Sequence, residues 1–111
     1  MNRQLGTIKL HDAATANGNG QILNLQACDS VSLQISGTFN ATIFFETTLD
    51  GSHWVECAAY DLNSTGATKA KSHTAPGLFH VDGLGGCLSF RARIGSYSSG
   101  SVTVTANAHT G

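Results

Sequence analysis

The chain is short of charge. Asp, Glu, Lys and Arg make up 12% of its 111 residues, about half the roughly 25% of an average soluble domain. The six Lys and Arg are scattered, apart from Arg91 and Arg93, and the formal net charge is -1. A basic stripe of the kind that nucleic-acid binding requires is therefore missing. Long apolar runs are missing too, and the first residues, MNRQLG, hold no apolar core of a signal peptide, so neither a membrane span nor secretion by that route is expected. Cysteine is sparse and odd in number: Cys28, Cys57 and Cys87 form no CxxC pair. They are expected to be reduced, small buried hydrophobes, the alternative being one disulfide and one reactive thiol.

Catalytic patterns are also lacking. His11, His53, His73, His80 and His109 are never at HxH, HxxH or HxxxH spacing, and no GxSxG, HExxH or phosphate-loop pattern occurs. The seven acids fall mostly at turns and strand ends, where Asp is favoured for backbone hydrogen bonding. The expectation is a protein that is not an enzyme and holds neither cofactor nor metal. Spacing is silent, however, on histidines or carboxylates that sheet pairing brings together from distant strands.

What the sequence does contain is alternation. Val31, Leu33 and Ile35 alternate with Ser30, Ser32, Gln34 and Ser36, the pattern of a half-buried strand. Ala41, Ile43 and Phe45 repeat it opposite Thr42 and Glu46, and Asp50-Gly51 then fits a hairpin turn that returns Trp54-Val55 alongside. Further on, Leu88, Phe90, Ala92 and Ile94 are expected inside, with Ser89, Arg91 and Arg93 outside. A polar turn over residues 96–100 should lead to a last strand carrying Val102 and Val104, and a tail frayed from Ala106. Residues 7–10 and 22–25 supply two shorter strands. No segment has helical periodicity. The pattern predicts one domain over residues 1–111: an all-β antiparallel β-sandwich, immunoglobulin-like or jelly-roll-like, of about seven or eight strands.

Candidate contact residues follow from what this frame leaves over. A short N-terminal arm, about residues 1–5, offers Met1, Asn2, Arg3, Gln4 and Leu5. A long Ser-, Thr- and Gly-rich loop, about residues 63–76, offers Lys69, Lys71 and His73, as a mobile excursion or as an arm ordered by a partner. Phe44 falls on the polar face of its strand, packed under a loop or touching another protein. Arg91 and Arg93, two apart on one strand, share a face. They either pair with Glu46 or Glu56 or reach a neighbouring subunit as a carboxylate clamp. Trp54, Tyr60 and Tyr97 leave open a sugar-stacking platform.

The succession Gly37-Thr38-Phe39, Phe45-Glu46, Asp50-Gly51-Ser52-His53-Trp54, Gly83-Leu84, Phe90-Arg91-Ala92-Arg93-Ile94 and Ser99-Gly100-Ser101-Val102-Thr103-Val104 resembles small β-sandwich virion proteins of tailed bacteriophages. That group comprises head decoration or cement proteins and tail-associated accessory modules, and the resemblance runs from about Gly20 to the end. It implies a non-enzymatic structural protein, made in the host bacterial cytoplasm and added to the surface of the capsid. The implied partners are the phage major capsid protein and further copies of this chain, with a trimer favoured. The long Pro-rich N-terminal arm of the best-known decoration proteins has no counterpart here, so attachment would fall to residues 1–5 or 63–76. A tail or fibre module, and a carbohydrate-binding adhesin module, are the alternatives.

Overall fold

The computed structural model describes residues 4–62 and 69–110. Among them are eleven strands: β1 (Gln4–Ala14), β2 (Leu23–Asn24), β3 (Ser30–Ser36), β4 (Phe39–Thr48), β5 (Val55–Glu56), β6 (Ala59–Asp61), β7 (Lys69–Ala70), β8 (Ser72–His73), β9 (Gly77–Val81), β10 (Ser89–Gly100) and β11 (Val102–His109). They form two antiparallel sheets, one of six strands in the order β1-β11-β3-β9-β6-β7 and one of five in the order β2-β10-β4-β5, with β8 also paired to β4. This is the expected all-β sandwich. The strand number exceeds the expected seven or eight because β2, β5, β7 and β8 are two-residue edge pieces, too short to show a period.

Alternation builds the core. Val31, Leu33 and Ile35 from β3 and Val102, Val104, Ala106 and Ala108 from β11 face Ile43 and Phe45 from β4 and Phe90, Ala92 and Ile94 from β10, all buried. Phe45 packs on Phe90 and, edge to face, on Phe79 from β9, each pair with ring centroids 5.9 Å apart, an arrangement that adds to area burial.

Two sharp corners tie the sheets together. The chain passes from β3 to β4 through Gly37-Thr38 and from β10 to β11 through Gly100-Ser101, and the corners touch: Ser101 N donates to the Thr38 carbonyl at 3.0 Å. Both glycines have positive φ, 110° and 88°, and a Cβ on Gly37 would strike the Ser101 carbonyl while one on Gly100 would strike that of Thr38. At the far end of β4, Asp50 Oδ1 accepts from the backbone N–H of Ser52 at 2.8 Å and of His53 at 2.9 Å. These bonds and the His53 ring hold its carboxyl well below the usual range and fix the hairpin into β5.

Several expected boundaries move. Leu88 is exposed and Ser89 buried. Leu88 still belongs to the corner before β10, where its N–H donates to Thr48 and its carbonyl accepts from Leu25. Residues 96–100 are not a turn but the end of β10, which resumes pairing with β4 at Ser99 and Gly100 after an irregularity. Nor does the chain fray from Ala106, since β11 pairs with β3 as far as His109. Gln4 and Leu5 lie in β1, and Leu5 packs against the core. Met1, Asn2 and Arg3, and residues 63–68 of the long loop, are outside the described residues.

Candidate functional site

On the outer face of the five-stranded sheet, register places Arg91 opposite Glu46, Arg93 opposite Phe44, and Glu46 opposite Glu56. Arg91 Nε donates to Glu46 Oε1 at 2.8 Å and Arg93 Nε to Glu46 Oε2 at 3.0 Å, while Arg93 Nη2 reaches Glu56 Oε2 at 3.4 Å. Each guanidinium also covers an aromatic ring, Arg91 over Trp54 at 4.2 Å and Arg93 over Phe44 at 4.3 Å. Burial alone would push the Glu46 carboxyl up; the hydrogen bonds and charges of Arg91 and Arg93 outweigh it and leave the carboxyl below its ordinary value. Of the two readings of the arginine pair, the structure displays the pairing to Glu46 and Glu56 within the chain. Two cations and two anions make this patch electrically neutral.

The outer face of the six-stranded sheet is different. Pairing aligns one residue from every strand into a single row, Thr7, Asn107, Ser32, His80, Tyr60 and Lys69. Lys69 Nζ lies 4.5 Å from the centre of the Tyr60 ring and 3.8 Å from Asp82. Ser32 Oγ lies 3.4 Å from His80 Nδ1 and 3.0 Å from His109 Nε2, and the two imidazoles stack with centroids 5.4 Å apart at 28°. Beside the row, exposed Leu62 and Leu78 flank a shallow groove of about 170 Å³ with Gln34 and Thr105. The meeting of His80 with His109 left no trace in histidine spacing, because it depends on β9 and β11 both lying next to β3.

His73, expected on an exposed excursion, is a correction: it is buried, 7% exposed. It pairs with Ile43 through β8, and its ring lies 4.7 Å from Phe45 and 4.4 Å from Phe79. Residues 69–73 thus cross from one sheet edge to the other, and His73 closes the core at that side. Its Nε2 has no hydrogen-bond partner, and burial pushes its pKa down, against the opposing pull of Asp61 and a hydrogen bond to Ala70. Asp61, Ser72, Thr74 and Pro76 line, with it, a cavity of about 260 Å³. Lys71 is exposed.

The candidate contact residues do not form one patch. Phe44, Arg91 and Arg93 are on the five-stranded sheet, whereas Gln4 and Lys69 are at opposite edges of the six-stranded one. The three aromatics do not make a platform either: Trp54 lies under Arg91 on one sheet and Tyr60 on the other. Tyr97 packs against the core and donates its hydroxyl to the Gly100 carbonyl at 2.6 Å. None of the three cysteines is joined in a disulfide. Burial, with a smaller push from Cys87, raises the Cys57 thiol to about 12. Among the described residues no group of three or more His, Cys, Asp or Glu is placed to hold a metal ion, and no helix is long and apolar enough to cross a membrane.

No family model matches the chain, and no curated protein matches its sequence. Two solved structures share its fold. The SPBc2 prophage-derived protein YomS superposes with a TM-score of 0.87 over 99% of this chain and 96% of its own, at 16% identity. The PBSX exported protein XepA gives a TM-score of 0.88 over 98% of this chain, also at 16% identity, but this chain spans only 38% of the length of XepA. At such identity the likeness establishes the fold; YomS is prophage-derived by name, and XepA is by name an exported protein of PBSX.

Proposed function

We propose that this chain is a non-enzymatic structural protein of a tailed-phage particle, and specifically a decoration protein that binds and stabilises the shell of major capsid protein. The observation that carries the reading is a fold shared over almost the entire chain with a prophage-derived protein. The surface agrees with it. One sheet face has its charges neutralised internally, and the other presents hydroxyl, amide and imidazole groups beside two exposed leucines. Such faces suit broad, polar protein contacts. In this reading the chain is made in the bacterial cytoplasm, joins the capsid surface, and clusters as a homo-oligomer, a trimer at local threefold positions. A tail or fibre module is the second reading, and XepA favours it: there the matching fold occupies only part of a longer chain.

Co-sedimentation of the purified chain with phage capsids and with tails tests both. Saturable binding to capsids, weakened by Leu62→Ser with Leu78→Ser while the isolated fold stays intact, is the expected result. Binding to tails alone selects the second reading. Saturable glycan binding abolished by Tyr60→Ala, with no affinity for either particle part, overturns both.

A further inference from the structure

We propose that His80 and His109 form a two-imidazole chelate for a divalent transition-metal ion of the Zn²⁺, Ni²⁺ or Cu²⁺ class. The site is independent of the proposed function and stands whether or not the chain decorates a shell.

β9 and β11 are not neighbours, because β3 lies between them; Ser32 on β3 pairs with His80, while His109 pairs with Ser30 and its ring reaches diagonally to Ser32. The short side chain of Ser32 lets both rings lean inward until they stack. Their facing nitrogens, His80 Nδ1 and His109 Nε2, then converge on one oxygen, at 3.4 Å and 3.0 Å. A serine hydroxyl has a single proton to donate, so Ser32 can donate to only one ring. The other ring can in turn donate an N–H to the Ser32 oxygen, so the two ring nitrogens are gathered around one point by either arrangement of protons. A cation seated between the two nitrogens, with the Ser32 hydroxyl turned aside, takes a lone pair from each imidazole at once, and any proton on those nitrogens leaves to solvent. Imidazole ligands select Zn²⁺, Cu²⁺ and Ni²⁺ over Mg²⁺ and Ca²⁺. Both rings are partly exposed, so water completes the coordination, as in open zinc sites.

The other three histidines are differently placed. His11 Nε2 is held 2.5 Å from the Ala92 carbonyl, His53 Nδ1 is engaged by Asp50 at 2.7 Å, and His73 is enclosed by two phenyl rings.

The test uses the untagged full chain. Calorimetric titration with NiCl₂ and ZnCl₂ should show saturable binding. His80→Gln and His109→Gln should each weaken it by at least about tenfold, since even changes one shell further out cost that much at metal sites. His53→Gln should leave it unchanged. Electron paramagnetic resonance of the unmutated chain with one equivalent of Cu²⁺ should show two coordinated nitrogens, a readout that does not depend on how well any variant folds. Absence of saturable binding, unaltered binding in both Gln variants, loss in His53→Gln, or a copper spectrum without two nitrogen ligands would each overturn the site.

Discussion

Arg91 is held between a carboxylate and an indole: its Nε donates to Glu46 Oε1 at 2.8 Å while its guanidinium carbon lies 4.2 Å from the centre of the Trp54 ring. The Glu46 side chain is only 8% exposed, so little solvent screening reaches the pair, unlike an ordinary surface salt bridge. Arg93 shares the same carboxylate, and removing it would leave two partly buried cations facing each other.

Replacing Glu46 by Gln should therefore destabilise the fold by about 1–3 kcal/mol at pH 7, the cost of depriving charged groups of a buried partner. The folded carboxyl lies below its ordinary value, so its contribution is complete above the unfolded pKa of about 4.3. It disappears as pH falls through the folded value. Urea unfolding at pH 7 and pH 3 should show the gap between the parent and Glu46→Gln closing at the acidic end.

Gly37→Ala and Gly100→Ala should each cost more than about 1 kcal/mol, because positive φ and a backbone obstruction act together. Gly83 separates the two effects. It also has positive φ, 74°, but a Cβ there meets nothing within 4 Å, so Gly83→Ala should cost about 1 kcal/mol or less. Thermal unfolding of the three variants checks the order; equal losses would mean that the touching corners contribute nothing beyond dihedral strain.

The interior of this sandwich was legible from residue period and its periphery was not. Val31, Leu33 and Ile35, or Phe90, Ala92 and Ile94, announce themselves because each lies in a run long enough to repeat. Leu88 fails because the local backbone turns before the strand begins, so a residue in phase with the pattern is not yet part of it. The segment 96–100 reads as a turn from its Ser and Gly content, yet pairing with β4 keeps it extended. His73 looked exposed within a polar stretch, but two residues of bridging to β4 were sufficient to bury it. The convergence of His80, Ser32 and His109 is a property of strand order, and no local pattern encodes strand order. The pairing of Arg91 and Arg93 with Glu46, in contrast, was one of two readings available from face assignment alone.

Thiol chemistry gives a third check. Cys28 is fully buried, and burial raises Cys57 to about 12, far above the roughly 8.5 of a free thiol. At pH 8, titration of the native chain with a thiol reagent should find at most one fast-reacting group, and denaturation should reveal all three. A pair that appears only after reduction would contradict a fold in which no cysteine is joined in a disulfide.

His73 should set the first step of acid destabilisation. Its ring is buried between Phe45 and Phe79, and burial lowers its pKa below the value of about 6.5 that it regains on unfolding. Between those two values the unfolded chain binds the additional proton. The contribution of His73 is therefore full above the unfolded pKa and is lost progressively as pH falls toward the folded one. The window opens at a higher pH than the one governed by Glu46, so on acidification the decline of unfolding free energy should begin with an upper stage set by His73 and continue with a lower stage set by Glu46. His73→Phe, which keeps an aromatic ring between the two phenyls without a titrating nitrogen, should remove the upper stage and leave the lower one, and Glu46→Gln should do the reverse. The Ala70 carbonyl that loses its partner belongs to an exposed residue, so water can replace the histidine and the substitution should cost little at neutral pH. An upper stage that persists in His73→Phe would assign it to another group.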